Sequence, residues 1–443
     1  MTSAFQSGFA RIGALWQRVL SSHSVKDVIW MFAERGAVMC GAFFSGVLVA
    51  RYLGPTHAGA INFAYGVQGL LAAVLSLGLE GVTIRRLVTD EERRDQLRDL
   101  VWSLLSITGL LGGLALLVMA AVTSESREVK MALVAASVPL LLTRGQLFEW
   151  IFRSRSEIRK LSRVRMVGIL VMQGVKVALV FANAGFGALV SAMVVEALLL
   201  YGIAFGTFRY AGLPSPHLRW NLRGSGVREL LSESWPLLAA GVAVMVYTRL
   251  DVVMLQWMKG QTEVGIYGAA TRLSELWNVV PSIICAGFYA KWIEWHRTSP
   301  DVFSRSIRLF LGFLLLGAFL LGCAVQFTAD GVIALVYGRD YSASAGPLRI
   351  HIWASLPVFV GCVMGQLYVI WGLGRVMLAG TIAGAASNAL LNLWWIPSDG
   401  ASGAALATAI SYGISVVFPF LVSKAARARF AELHWFSSSL PHS

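Results

Sequence analysis

Twelve apolar segments, each of about the length that crosses a bilayer, follow one another along this chain. A transmembrane helix needs about 20 predominantly apolar residues. The segments lie at 31–50, 60–82, 100–122, 131–151, 166–182, 186–208, 234–256, 264–288, 306–327, 349–371, 376–396 and 402–422. Only 14% of the 443 residues are charged, whereas soluble domains carry about 25%. The sequence therefore predicts an all-α polytopic membrane protein and excludes a soluble enzyme, a disulfide-rich secreted domain and a disordered chain.

Lysine and arginine are distributed unevenly between the two sides that twelve crossings define. If the N-terminus is cytoplasmic, 25 of the 37 Lys and Arg residues fall in cytoplasmic segments and 6 in outer loops. Cytoplasmic loops carry the excess of positive charge in membrane proteins. We therefore predict that both termini are cytoplasmic and that the net charge of +13 reflects topology, with no nucleic acid as partner.

The longest predicted cytoplasmic connection, rich in proline, glycine and basic residues, divides the twelve segments into two sets of six. Near the N-terminus, apolar residues recur at helical spacing from Phe5 to Val19, which indicates an amphipathic helix on the membrane surface. The predicted parts are an amphipathic cytoplasmic segment at 1–28, an N-lobe at 29–208, a basic linker at 209–232, a C-lobe at 233–424 and a cytoplasmic tail at 425–443.

A short motif recurs after the first segment of each set. Gly54-x-Thr56-x-x-Gly59 is matched 206 positions later by Gly260-x-Thr262-x-x-Gly265, and Ala64 and Leu70 are matched by Ala270 and Leu276. Parallel repeats of six spans are a common way to build a transport path between two bundles. We expect the four motif glycines to allow tight turns.

Ionisable residues inside the apolar segments are expensive in a bilayer and mark functional sites by default. Lys176 and Glu196 each lie about ten residues into a segment, about 15 Å deep at the helical rise. They lie on adjacent spans and can neutralise each other. Arg272 and Glu275 are nearly as deep and three residues apart, so they form either a structural ion pair or part of a working site.

Among the ionisable side chains deep inside the apolar segments, the positively charged ones predominate. Arg144, Lys176, Arg249 and Arg272 are candidates to line a cationic cavity that suits a phosphate-bearing substrate, because Arg grips phosphate oxygens in a bidentate way. The acidic residues Glu275, Asp251 and Glu196 are candidates for charge pairing or ion coupling. Glu34, Arg35 and Glu149 are expected close to the cytoplasmic face, and His351 at the outer interface.

Several kinds of chemistry have no signature here. The four cysteines fall inside apolar runs, so we expect neither disulfides nor a metal site. The sequence has no Gly-x-x-x-x-Gly-Lys-Ser/Thr motif, and the first outer loop has no carboxylate. A transporter without a cofactor fits these features better than an enzyme.

Three stretches resemble the polysaccharide transporter family, the Wzx-type O-antigen and exopolysaccharide flippases of the multidrug/oligosaccharidyl-lipid/polysaccharide exporter superfamily. The stretches are ARYLGPTHAGAINFAYG at 50–66 with LGLEGVTIRRL at 77–87, the run from SWPLL through TRLDVV and VGIYGAATRLSE at 234–284, and NALLNLWWIPSDGASGAALATAIS at 388–411. The middle stretch is the most specific, and together the three span nearly the whole chain.

The resemblance implies two six-helix lobes around a central cavity in a bacterial inner membrane. It implies transport of an undecaprenyl-diphosphate-linked oligosaccharide to the outer leaflet by alternating access, driven by an ion gradient or the membrane potential. Arg249 and Arg272 would then be the first cavity cations, followed by Lys176 and Arg144. A polysaccharide polymerase and chain-length machinery are further candidate partners.

Three alternatives remain open at this stage. A drug antiporter of the same superfamily would carry mainly acidic residues in its N-lobe cavity. A lipid II flippase would resemble relatives that carry two more C-terminal spans. An assembly subunit of a polysaccharide complex would not need its buried charges.

Overall fold

The computed structural model describes the backbone of residues 23–218 and 225–433, and the side chains of 38–218 and 226–433. The apolar positions of the predicted amphipathic helix, from Phe5 to Val19, lie outside these ranges. The side chains of Glu34 and Arg35 lie outside them as well. The described part of the chain is almost entirely helical and contains no strand.

Twelve membrane crossings can be traced through the described residues. Nine helices are long and apolar enough to cross a membrane, and two of these are bent into two arms each, at Gly54 and at Gly400. A further crossing is a helix interrupted by a short 3-10 turn at Leu276–Asn278. Spans 1 to 12 are 23–53, 55–75, Arg94–Val122, Arg127–Ser154, Ile158–Phe181, Gly185–Tyr210, Ser225–Lys259, 261–298, Pro300–Val336, Arg339–Ile370, 374–399 and 401–422. The predicted all-α polytopic fold is confirmed.

Several predicted boundaries differ from the observed ones, and three of the differences have a clear physical reason or consequence. Span 2 ends at Leu75 rather than at residue 82, because Leu77 and Gly78 have φ values of 52° and 64° that no helix can include. A separate short helix, Leu79–Thr89, follows this turn. Span 7 begins at Ser225 and shortens the predicted linker, because its first turns are polar and carry no apolar signal. Span 10 begins at Arg339, ten residues before the predicted start.

The segments that connect successive spans contact one another in two groups, one at each end of the molecule. Connections after odd-numbered spans meet one another at what we call the far end. Their contacts include Thr56 Oγ1 with Thr262 Oγ1 at 2.9 Å, Ser126 Oγ to Gln261 Oε1 at 2.8 Å and Tyr341 OH to Ala50 O at 2.8 Å. Connections after even-numbered spans, together with the last described residue, Leu433, meet at what we call the basic end. Their contacts include Arg153 with Glu80 at 2.6 Å, Arg86 with Glu229 at 2.8 Å and Arg308 Nη1 to Leu433 O at 2.7 Å.

The buried apolar clusters show how the two lobes are joined. At the far end the lobes share their clusters, one of which contains both Phe63 and Tyr267. At the basic end one cluster, from Leu79 to Leu213, belongs to the N-lobe and also includes Leu230 at the start of span 7. A further cluster, from Cys285 to Leu433, belongs to the C-lobe alone. The lobes therefore share a core at the far end, and at the basic end the N-lobe core also includes Leu230 of span 7.

The repeated glycine motif forms the far-end junction. Gly54 (φ 72°, ψ 169°) and Gly260 (φ 89°, ψ 177°) make the same left-handed turn before spans 2 and 8, as predicted. Gly59 and Gly265 have another role, because both are helical and bring the two spans into backbone contact. A methyl group on Gly59 would lie 1.7 Å from Gln261 O, and one on Gly265 would lie 1.9 Å from Pro55 O. Small residues permit such close helix crossings in membranes.

The close crossing of spans 2 and 8 predicts that one added methyl group at Gly59 strongly lowers the stability of the protein. Gly59→Ala should destabilise the protein by about 1–3 kcal/mol, the usual cost of overpacking, because the contacted atom is a rigid backbone oxygen. Gly174→Ala is the matched control, since nothing lies within 4 Å of a methyl group at that helical position. Thermal unfolding in detergent at one scan rate should show a lower midpoint for the first variant only. Equal midpoints would contradict the close crossing.

Candidate functional site

A cavity of about 230 Å³ lies between the two lobes, beneath the far-end junction. Spans 1, 2, 5 and 6 line it from the N-lobe, and spans 8 and 10 with the end of span 9 line it from the C-lobe. Polar side chains interrupt the apolar lining. They are Ser45, Asn62, Tyr65, Gln173, Lys176, Arg272, Tyr337 and Tyr341. Two of the four predicted cations, Lys176 and Arg272, therefore line one central cavity.

Lys176 is neutralised within the N-lobe. Its Nζ lies 2.5 Å from Glu196 Oε2, with 12% and 17% of the two side chains exposed. Gln173 Nε2 donates to the other oxygen of Glu196 at 3.1 Å. Gln173 in turn accepts a hydrogen bond from Ser45 on span 1. The predicted pairing across adjacent spans is present, and it fixes the lysine beside the cavity.

Arg249, Arg272 and Glu275 form a second group of charges, on spans 7 and 8. Both arginines are exposed. Within the described residues none of the three makes an ion pair or hydrogen bond, so the Arg272–Glu275 pair considered above is not formed. Two cations are thus left without a direct partner: Arg272 lines the cavity, and Arg249 is not among the residues that line it.

Gly46 on span 1, which sequence reasoning missed, makes room for the Arg272 guanidinium. A methyl group at Gly46 would lie 2.5 Å from Arg272 Nη1. Arg249 similarly packs beside Gly69 on span 2, where a methyl group would lie 3.9 Å from its Cγ. Both arginines of the C-lobe therefore reach the N-lobe at a glycine.

Asp251 faces the interior of the C-lobe instead of the cavity. Its side chain is 3% exposed and accepts hydrogen bonds from Tyr267 OH, from Val252 N at 2.7 Å and from Thr408 Oγ1 at 3.4 Å. Asn388 Nδ2 donates to Thr408 at 3.3 Å, and Asn392 Nδ2 donates to Asn388 Oδ1 at 2.9 Å. The Oδ1 atom of Asn392 is buried and has no hydrogen-bond partner in the described part of the chain. Spans 7, 8, 11 and 12 thus enclose a polar network around one carboxylate.

His351 lies beside this network and not at the membrane interface. The side chain is 3% exposed, and Nδ1 forms a 2.6 Å hydrogen bond with Ser274 Oγ. The predicted interfacial position was wrong, because span 10 begins ten residues earlier than its apolar signal. His351 is therefore about three turns inside its span.

Arg144 is not among the residues that line the central cavity. Its guanidinium carbon lies 5.3 Å from the ring centre of Trp102 and 5.9 Å from that of Tyr201. A cation over an aromatic face is stabilised by the ring quadrupole. The structure thus gives Arg144 aromatic partners on spans 3 and 6 and separates it from Lys176 and Arg272.

An ion-pair cluster, which sequence reasoning missed, joins the lobes at the basic end. Arg85 and Arg86, after span 2, both contact Glu233 on span 7 at 2.5 Å, and Arg86 also contacts Glu229 at 2.8 Å. The hydrogen bonds from Arg86 to Glu233 raise the pKa of the arginine, so the cluster stays charged. It joins the short helix after span 2 to span 7, beside the close backbone approach of Gly78 to Ser234 and Leu238.

Comparisons with known proteins place these features in a family. A family model described as polysaccharide biosynthesis protein matches residues 24–287, more than half of the chain. The chain is similar to a Haloferax volcanii protein named probable low-salt glycan biosynthesis flippase Agl15. The two are 20% identical over 390 residues, which cover 85% of this chain and 79% of that protein.

Two solved structures share the fold. An inward-facing multidrug resistance MATE family transporter of the MOP superfamily superposes with a TM-score of 0.68 at 14% identity, covering 90% of this chain and 96% of that one. The lipid II flippase MurJ in an inward closed conformation superposes with a TM-score of 0.74 at 14% identity, covering 89% and 87%. The fold expected from the resemblance is confirmed.

The site geometry predicts which positions water reaches. In a variant without the four native cysteines, Arg249→Cys and Arg272→Cys should react with a membrane-impermeant thiol reagent, because both side chains are exposed. Ser411→Cys, a conservative change at a fully buried position, is the control and should stay unlabelled. Labelling is read by mass shift in membranes opened on both sides. Protection of both arginine positions would contradict the cavity described here.

Proposed function

Since this chain belongs to the polysaccharide biosynthesis protein family, we propose that it is a flippase for lipid-linked oligosaccharides. Its substrate is an undecaprenyl-diphosphate-linked repeat unit of O-antigen or exopolysaccharide. The protein moves this unit from the cytoplasmic to the outer leaflet of the bacterial inner membrane. The flippase name of the Haloferax relative supports the general activity.

The observation that carries the proposal is the pair of unpartnered arginines near the interlobe cavity. A charged side chain inside a membrane is costly, so it is kept where it finds a counter-charge or water. Arg249 and Arg272 have no carboxylate partner among the described residues, whereas Lys176 has one. A substrate diphosphate supplies the missing negative charge, and guanidinium groups bind its oxygens in a bidentate way.

Transport by this fold requires the lobes to move. A cavity of about 230 Å³ holds fewer than ten waters at about 30 Å³ each, which is too small for a sugar chain. In our proposal the basic end, with both termini, faces the cytoplasm and opens to admit the substrate. The far-end contacts around Thr56 and Thr262 then separate to release it outside.

The structure lacks, among its described residues, the free acidic group in the N-lobe cavity that the drug-antiporter alternative requires. Such a protein needs an acidic group in the N-lobe cavity to receive a cationic drug. The mid-depth acid of this N-lobe, Glu196, is already neutralised by Lys176 at 2.5 Å. The cavity therefore favours an anionic substrate.

We assign ion coupling to Asp251. Its carboxylate is buried away from the substrate cavity and is surrounded by hydroxyl and amide groups, which suits reversible binding of a proton or a small monovalent cation. Binding there neutralises a charge between spans 7, 8 and 12 and can shift the balance between two arrangements of the C-lobe. Glu275, three residues after Arg272 on span 8, is assigned to charge balance near the cavity.

The proposal predicts the outcome of complementation. In a bacterium that lacks its own O-antigen flippase, the wild-type chain should restore surface polysaccharide. Arg249→Ala and Arg272→Ala should each reduce it, and the double variant should abolish it, because the diphosphate loses its bidentate partners. Arg297→Ala, at an exposed position in the last turn of span 8, is the control at matched expression and should act as wild type.

Two outcomes would contradict this assignment. Full activity of the double variant would remove the arginines from the substrate site. Rescue of cells depleted of their lipid II flippase, without rescue of O-antigen, would assign the lipid II substrate instead. Because these proteins can be selective for the sugar, the native host and its own polysaccharide serve as the reference strain.

Ion coupling predicts a separate phenotype for Asp251. In proteoliposomes with a fluorescent undecaprenyl-diphosphate sugar, Asp251→Asn should lose the stimulation of flipping by an imposed proton or sodium gradient. Substrate binding should persist, because the cavity cations are unchanged. Asp301→Asn, at an exposed position in the first turn of span 9, should keep the stimulation. A gradient response of Asp251→Asn equal to wild type would refute the assignment.

A further inference from the structure

The Lys176–Glu196 ion pair stands between two cavities. Lys176 lines the central cavity between the lobes. Glu196 lines a second cavity of about 290 Å³, which lies inside the N-lobe among spans 2, 4, 5 and 6. Tyr65 and Met193 line both cavities and form their common wall. The ion pair thus crosses from one cavity to the other.

Both oxygens of the Glu196 carboxylate are engaged towards span 5. Oε2 contacts Lys176 Nζ at 2.5 Å and Oε1 accepts from Gln173 Nε2 at 3.1 Å. Gln173 is itself held by the hydrogen bond from Ser45 on span 1. The ammonium group that lines the substrate cavity therefore already holds an anion, and that anion belongs to the protein.

The N-lobe cavity offers a displaced carboxylate a polar environment. Arg165, Gln146 and Thr143 line it together with Glu196. Arg165 pairs with Glu149 at 2.7 Å towards the basic end and is partly exposed. A buried carboxylate that loses its only cation is strongly destabilised. The polar groups of this cavity reduce that cost, so Glu196 can leave Lys176 by rotating into it.

We propose that Glu196 is an internal competitor for the substrate's diphosphate at Lys176. This inference rests on the proposed function and adds a step to it. The arriving diphosphate contacts Arg272 and displaces Glu196 from Lys176, and Glu196 swings into the N-lobe cavity. When the cavity opens at the far end, Glu196 returns to Lys176 and weakens the hold on the substrate. Glu196 is thus a positioning residue that sets affinity and promotes release.

Binding of lipids to the purified full-length chain tests this step. The probe is undecaprenyl diphosphate in detergent micelles, and undecaprenol, which has the same tail without charge, reports tail binding alone. If the lysine is free in about one molecule in ten, competition lowers the apparent affinity about ten-fold. Glu196→Gln should therefore bind the diphosphate about ten-fold more tightly than wild type and bind undecaprenol equally. Flipping by this variant should be slower, because release is slower.

The control variant is Glu157→Gln, which removes an N-lobe carboxylate that pairs with Lys160 at 3.0 Å and lines neither of the two cavities. Its affinity for undecaprenyl diphosphate should equal that of wild type. The gain in Glu196→Gln should disappear in the double variant with Lys176→Gln, because the gain acts through the lysine. If Glu196→Gln does not fold, Glu196→Asp, whose shorter side chain weakens the pair, should still bind more tightly than wild type.

The failures of the two proposals are distinguishable. If wild type prefers the diphosphate to undecaprenol and neither Glu196 variant binds it more tightly, the competitor role is wrong and the flippase proposal stands. If wild type binds both lipids equally, the cationic substrate site is wrong, and the competitor role is wrong with it.

Discussion

The backbone contact between spans 2 and 8 is the constraint on which the rest of this structure depends. Gly59 and Gly265 let the two lobes touch without intervening side chains, and Thr56 and Thr262 bond across the contact. Helices that meet this closely at one end must carry their larger side chains elsewhere, so the lobes share a core there, whereas at the opposite end the N-lobe core includes Leu230 at the start of span 7. The cavity with its charges lies where the lobes part.

The charges around that cavity divide into neutralised and available ones. Lys176 has a carboxylate at 2.5 Å, while Arg249 and Arg272 have none in the described residues. Asp251 is sequestered among hydroxyl and amide groups in the other lobe. An ion pair in a membrane stabilises a protein little unless its geometry is good, so the separation of these charges is significant. The N-lobe carries a closed ion pair and the C-lobe carries a buried acid. The unpaired cations lie near the space between the two lobes.

The apolar pattern predicted all twelve crossings, and the offset of 206 residues located the junction between the lobes. Interactions that depend on distant elements were not predictable. Arg144 finds its aromatic partners on spans 3 and 6, far away in sequence. The Arg86–Glu233 cluster lies in polar turns that carry no apolar signal. His351 was misplaced because the predicted start of span 10 was ten residues late, about 15 Å at the helical rise.

The two ends of the molecule are closed by different physical interactions. This difference constrains how the protein can alternate between a conformation open at one end and a conformation open at the other. The far end closes through apolar packing and hydrogen bonds, and the described residues form no ion pair between the lobes there, so its strength varies little with salt. The basic end is held in addition by ion pairs of Arg85 and Arg86 with Glu229 and Glu233. Ion pairs that are largely exposed are weak and screened by ions. Two conformations interconvert readily only if their free energies differ by a few kcal/mol. A basic surface would resist closure by repulsion, and the two glutamates of span 7 supply the negative charge that lets the lobes approach there. Acidic residues at this seam therefore offset the positive charge that the connections at the basic end carry.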